Sequence, residues 1–426
     1  MALTFHGEGY WWPPARPDAR VFGSVHFSPE AGAILTAKGG ALDGIEGPIF
    51  GELLDGKPTT LLQVIWPPAC PFPALPLRTI TQTYHATILI VGGHHVPQAG
   101  GTVFGGICAE LPQLRHWLGK GPINANHGEE CLTLAFKWPQ TIDLVSQGSR
   151  NISARYGYLE HFSFADRFPV KLHLSSSVVI RAISDMEKQV RDLTHFCHFL
   201  TLALDEQVWP SSIHLLPIKD SGCEFLSLYY QPIGKPVVTH RQPKYPLFTL
   251  QDLAGRESAM LEHWFAMQDT LAPVFSLYFS VLYTPSAYRD VQLFNLVQAL
   301  EVFHRVTTGR KQTKLATRLR ELVGTFSEVL RPVLPPGVDA AAELRDHRDY
   351  MAHFNEADQR KHAHGHRVAF LGELAKLLVQ LCLLKHLTFT AAEVRATVIR
   401  GRAYKLLGHW ADRQGDAAED EVDVEH

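Results

Sequence analysis

The sequence predicts an α+β protein, with a β-rich amino-terminal domain followed by an all-α helical bundle. Three observations lead there. Short runs of Val, Ile, Thr and aromatic residues recur between turn residues up to about position 175. Helical periodicity takes over from about Leu250. Proline clusters, Trp12-Pro13-Pro14 and Pro67-Pro68 followed by Pro71 and Pro73, break the first region too often for long helices. At 426 residues, 46% hydrophobic and 10% aromatic, the chain has material for more than one core and is neither disordered nor low-complexity.

Taken in order, strand signals fall at Val21–Phe27, Leu61–Trp66, Thr79–Val91, Cys131–Trp138 and Lys171–Leu174. A sheet sandwich or irregular β domain is the economical reading. The period changes over Ser184–Leu204, where Met186, Val190, Leu193, Phe196, Cys197, Leu200 and Leu204 recur at helical spacing. Strands return at Ser212–Leu216 and Glu224–Tyr230, and the proline-bearing Gln231–Leu247 reads as a connection. Helices are then expected over Ser258–Tyr283, Tyr288–Val306, Lys311–Leu330, Ala340–Asn355, Arg367–His386 and Ala391–Lys405. Pro335-Pro336-Gly337 separates the third from the fourth, for which Asp339 is a suitable N-cap. The expected boundaries are 1–240 for the β-rich domain (including the helix at about 184–204), 250–410 for the bundle, and 411–426 for a disordered acidic tail.

The first ten residues, MALTFHGEGY, have neither the basic start nor the apolar core of a signal peptide. Thr270–Tyr288 is a long uncharged stretch, but Pro273, Pro285 and its Ser and Thr residues favour a buried helix over a membrane span. Cys70, Cys108, Cys131, Cys197, Cys223 and Cys382 are scattered with no CxxC pair, as expected of reduced thiols. The expectation is a cytoplasmic protein with no membrane association.

The formal charge of −3 argues against nucleic acid only while it is averaged over the chain. Residues 301–410 hold 18 Lys and Arg against 11 Asp and Glu, whereas 411–426 hold one Arg against seven acids. The acidic end masks a basic helical domain. A solvated, arginine-rich bundle surface and a surface for a phosphate-bearing partner both fit that distribution.

Within the basic region, Arg348 and His353 form R-x4-H on an expected helix. Arg offers a planar, permanently charged fork for phosphate oxygens, and His moves protons near neutral pH. Five residues apart they lie about 140° round and about 7.5 Å along the axis, so a long Arg can swing towards the His tip. Such a pair can hold a phosphate and deprotonate the 2′-hydroxyl that RNA has and DNA lacks. Spacing alone equally describes an Arg paired with nearby acids and a half-buried bundle His. On the preceding helix, Leu293, Leu296, Val297, Leu300 and Phe303 (or His304) trace an apolar stripe, with Glu301 beside it and Arg305 one turn on. That Glu and Arg also fit a simple surface ion pair.

These residues resemble a family. Arg348-Asp349-Tyr350-Met351-Ala352-His353, placed after a helix with Glu301 and Arg305, resembles the motif of HEPN ribonucleases. Gly9-Tyr10-Trp11-Trp12 and Val21-Phe22-Gly23-Ser24-Val25-His26-Phe27-Ser28-Pro29 are similar to the domain preceding HEPN in ApeA antiphage proteins. The resemblance implies a metal-independent endoribonuclease without cofactors, cutting RNA (tRNA among the candidates) in abortive infection. It also implies a homodimer or higher homo-oligomer through HEPN and a phage-derived trigger. By the same resemblance His353 is the general acid or base, Arg348 stabilises the transition state, and Asp349 and Glu301 complete the catalytic set. Arg305 and Arg345 contact RNA. Asp349 departs from the Asn of many members, and its charge calls for neutralisation by Arg345 or Arg305. The alternative is a non-catalytic HEPN protein that binds nucleic acid or regulates a defence system.

Weaker patterns remain. His362-x-His364-x-His366 suits a metal, or a basic loop facing RNA or water, and supports a third reading as a metal hydrolase. Gly100-Gly101 and Gly105-Gly106 lack the context of a phosphate loop. Trp11 and Trp12 fit core packing or a recognition surface.

Overall fold

The computed structural model describes residues 3–38, 42, 47–65, 81–119, 123–127, 132–136, 141–146, 150–162, 170–218, 224–231, 242–354 and 363–411. The expected acidic tail from 412 on, most of the connection Gln231–Leu247, and His362 lie outside them. The chain forms two compact units, Met1–Cys197 with Val208–Gln242, and His198–Gln207 with Pro243–His426.

The first unit begins with six strands, β1 (Phe5–Trp12), β2 (Val21–Ser28), β3 (Gly32–Lys38), β4 (Ile49–Leu53), β5 (Pro58–Ile65) and β6 (Thr81–Val91). All pair antiparallel in the order β6-β3-β2-β1-β4-β5, and β5 returns to β6, closing a barrel. Alternation builds it: Val21, Gly23, Val25 and Phe27 of β2 point inward while Phe22 and His26 are exposed. Trp11, Val25, Phe27, Leu35, Ile49, Leu61, Tyr84 and Leu89 fill the interior.

The unit continues through β7 (Val103–Phe104), β8 (Gly106–Glu110), the short helix α1 (Leu114–Leu118), β9 (Ile123–His127), β10 (Leu132–Phe136), β11 (Ile142–Val145), β12 (Asn151–Phe162), β13 (Val170–Arg181) and β14 (Ser184–Asp185). Helix α2 (Met186–Leu204) follows, its residues from His198 on belonging to the second unit, then β15 (Ser212–Leu216) and β16 (Leu226–Tyr230). An open sheet β16-β15-β8-β13-β12-β11 grows from the barrel through β6. Along one edge of β6, residues 81–86 pair with β3 and residues 88–91 with β16. The fold is therefore a barrel running into a sheet, where the sequence left a sandwich or an irregular β domain open. An 11-residue strand long enough for two successive neighbours makes the difference. Arg150 clamps α2 through a bidentate ion pair to buried Asp192, at 2.8 and 3.1 Å.

The second unit is helical: α3 (Glu257–Ala266), α4 (Ala272–Tyr283), α5 (Arg289–Thr308), α6 (Leu315–Thr325), α7 (Ser327–Leu330), α8 (Ala340–His353), α9 (His366–His386) and α10 (Ala391–Val398), with residues 402–411 also helical. Three expected helices are each broken in two. Ser258–Tyr283 divides into α3 and α4 because Pro273 has no N–H for a continuing turn and is accommodated in the first turn of α4. Lys311–Leu330 starts late and divides at Phe326 into α6 and α7. Ala391–Lys405 breaks around Gly401, where a Cβ would come 2.7 Å from Leu247. Helix α9 is buried on nearly every side from Val368 to Leu384 and is the centre of the unit, with α5 packed along it. Among the described residues no helix is long and apolar enough to cross a membrane. The uncharged stretch instead supplies α4, whose Val274, Phe275, Tyr278, Phe279 and Tyr283 are buried.

Two glycines test the packing in opposite directions. Gly51 faces Trp11 in the β1–β4 register, and a Cβ there would come 2.5 Å from the buried indole. Gly51→Ala should destabilise the barrel by roughly 1–3 kcal/mol, read as a lower urea midpoint. Gly324 in α6 has open space around its missing Cβ. Gly324→Ala should stabilise by about 0.5–1 kcal/mol through helix propensity.

Candidate functional site

Helix α8 is capped by Asp339, whose side chain accepts from the Ala342 N–H at 3.0 Å and so satisfies one of the unpaired donors of its first turn. Arg348 faces α5. Its Nη2 donates to Glu301 Oε2 at 3.1 Å and its Nη1 to Asp349 Oδ1 at 3.0 Å. The Gln298 amide, oriented with its oxygen towards the guanidinium, accepts from Nε at 2.9 Å and from Nη2 at 3.2 Å. Arg348 and Glu301 are about one-fifth exposed, Asp349 nearly two-fifths. His353 is the last residue of α8 and is exposed.

Arg305 and Arg345 stand apart from this contact. Arg305 is exposed in the last turn of α5 and forms no ion pair among the described residues. Arg345 pairs with its neighbour Asp346 through Nε at 2.8 Å. Neither reaches Asp349, so the neutralisation expected from them comes from Arg348 itself. The reason is local: Arg345 meets the adjacent carboxylate before one a turn away.

Residues 8–264 match the family model described as ApeA N-terminal domain 1, and residues 294–393 match the one described as Apea-like HEPN. The chain belongs to the ApeA family. No match of significance is found among curated proteins or solved structures. The HEPN match of this ApeA-family protein runs from within α5 to the start of α10 and contains Gln298, Glu301, Arg305, Arg345, Arg348, Asp349 and His353.

Sequence reading missed Gln298. The available signal was its place one turn before Glu301, where two polar residues beside an apolar stripe face the same neighbour. It also missed what anchors α5 one turn beyond Glu301 in this HEPN domain. His304 is buried at 2% exposure, and Arg318, at 1%, donates from Nη1 to His304 Nδ1 at 3.1 Å. The other ring nitrogen, Nε2, lies 2.7 Å from Glu321 Oε2 and 3.1 Å from Arg310 Nη2. Arg318 also binds the carbonyls of Arg310, Lys311 and Thr313 at 2.8, 3.0 and 2.9 Å. That is why 311–314 is a clamped loop and not the start of α6. Arg310 closes the set on Glu321 through Nη1 at 3.1 Å.

Neither weaker pattern forms a site among the described residues. No group of three or more His, Cys, Asp or Glu there is disposed to hold a metal, and His362 of the 362–366 triplet lies outside them. Trp11 is core, with its indole N–H donating to the Gly23 carbonyl at 3.1 Å.

The Arg310 guanidinium and His304 hold the Glu321 carboxyl at about 2, below its ordinary 4.5. A depressed carboxylate contributes stability above its unfolded value and loses it as the pH falls through the folded one. Glu321→Gln should therefore lower the melting temperature at pH 7, and the gap to the parent should close between about pH 4.5 and 2.

Proposed function

We propose that this protein is an antiphage defence effector whose HEPN domain is a metal-independent endoribonuclease, cutting RNA to cause abortive infection. The observation that carries the reading is the Glu301–Arg348 contact between α5 and α8, with His353 exposed at the end of the same α8. In the reaction the 2′-oxygen bonds to phosphorus while the P–O5′ bond breaks, leaving a 2′,3′-cyclic phosphate and a 5′-hydroxyl. One proton leaves the 2′-hydroxyl and one goes to the departing 5′ oxygen, so no cofactor is consumed. A single imidazole cannot do both at once, and a homodimer with two His353 facing a shared cleft supplies an acid and a base. Cytoplasmic RNA, with tRNA among the candidates, is the substrate, and a phage-derived trigger switches cleavage on.

Arg348 stabilises charge on the pentacoordinate phosphorus, provided phosphate reaches it. Asp349 is the more exposed of its two carboxylate partners and holds a single nitrogen, Nη1, so phosphate takes that place. Glu301 and Gln298 keep Nε and Nη2 and fix the plane of the guanidinium. Exposed Arg305 contacts the RNA backbone, and Arg345 adds positive charge on α8.

The second reading, a HEPN protein that binds without cutting, draws on the same contact. Every nitrogen of the Arg348 guanidinium already has a partner within the chain, as in a structural ion pair. The two readings separate experimentally. Under the first, Arg348→Ala and His353→Ala each lower cleavage at least a hundredfold, cyclic-phosphate ends vanish, and chelators have no effect on the parent. RNA binding with steep salt dependence but no cyclic-phosphate product, even with phage present, favours the second. Asp349→Asn keeps an acceptor for Nη1 and removes a charge that repels phosphate. It should retain cleavage and tighten RNA binding, measured as a lower KM.

A further inference from the structure

Phe354 directly follows His353 and breaks two local rules at once. It caps the C-terminus of α8 in the left-handed conformation, at φ 50 and ψ 34, with its N–H on the Tyr350 carbonyl at 2.7 Å. Glycine or asparagine takes that position without strain, and a Cβ with a bulky ring does not. The ring is nevertheless 65% exposed, so packing offers little to offset the strain. The other non-glycine residues at positive φ among the described ones are Gln63, Asp205, Ala254 and Thr388, none of them aromatic. Strained backbone marks functional positions, and here it falls on the residue next to the proposed acid–base.

The ring has a partner that orients it. Tyr350 lies one turn earlier on α8, edge-to-face with Phe354, ring centres 5.7 Å apart. Such a contact covers at most one face of either ring, and the exposure of Phe354 leaves the rest open to solvent. An open aromatic face next to the reacting centre of a ribonuclease suits an unstacked nucleobase, because every base has a π-face. Bases are free to splay onto a side chain only where RNA is single-stranded.

We propose that Phe354, braced by Tyr350, is a stacking platform that holds an unpaired base next to the scissile phosphate. The proposal rests on the ribonuclease reading above and names its substrate as single-stranded RNA or an unpaired loop. Phe354 is in these terms a positioning residue, since it touches a base and not the reacting atoms.

The experiment uses the full-length protein with a fluorescent, unstructured RNA oligonucleotide and the same sequence annealed into a duplex. Phe354→Gly removes the ring and suits the positive φ, so its melting temperature should be equal or higher. Its RNA affinity should fall about tenfold for the single strand, raising KM with kcat nearly unchanged. Phe354→Trp should restore affinity and Phe354→Leu should not. If Phe354→Leu binds and cleaves like Phe354→Trp, aromaticity is irrelevant and the proposal is overturned. It is also overturned if Phe354→Gly matches the parent while His353→Ala is inactive, an outcome that leaves the ribonuclease reading standing. If His353→Ala still cleaves, that active site is wrong and the platform falls with it.

Discussion

A part-buried guanidinium ties two helices of the second unit together, and what the candidate site can do follows from that tie. Arg348 sits between Glu301 and Gln298 on α5 and Asp349 on its own helix. An arginine fork donating in one plane tolerates little rotation, so the contact fixes both the position of Arg348 and the rotation of α8 about its axis. His353, the last residue of α8, is exposed at its end. With two carboxylates on one guanidinium the local charge is negative, although residues 301–410 as a whole are basic. Access of an anion is thus set by which carboxylate yields, and the more exposed Asp349 is the weaker hold.

Helix α5 can serve as the reference for that contact because it is anchored one turn further on. His304, three residues beyond Glu301, is held by buried Arg318 on one ring nitrogen and by Glu321 on the other. Arg318 spends its remaining donors on the carbonyls of the 310–313 loop. Burying a charge is costly unless every donor is matched, and here each nitrogen has an acceptor. The network orders the helix that carries Glu301 and contributes no group to the site itself.

In the first unit the equivalent constraint is β6. Its first half pairs with β3 and its second half extends the sheet through β16, while β5 closes the barrel along the other edge. Glycines 9, 23 and 51 keep the barrel tight, since a Cβ at each would meet backbone or the Trp11 ring within 3 Å.

Much of this was legible in the chain. Periods of two and then 3.6 gave the order of β-rich and helical parts. Periodicity is a local property, and a local pattern is enough to reveal it. Spacing alone left Arg348, His353 and Glu301 equally readable as ion-pair and bundle residues, and only the resemblance to HEPN ribonucleases singled them out. Tertiary structure decided the rest. Whether strands make a sandwich or a barrel depends on which edges pair, and β5 meets β6 across a separation that no periodicity encodes. The helix break around Gly401 falls where Leu247 lies alongside. Gln298 joined the site, and Arg345 did not reach Asp349, because hydrogen bonds go to the nearest partner in space. Sequence sets which groups exist and how they are spaced along one element; only packing between elements sets which of them touch.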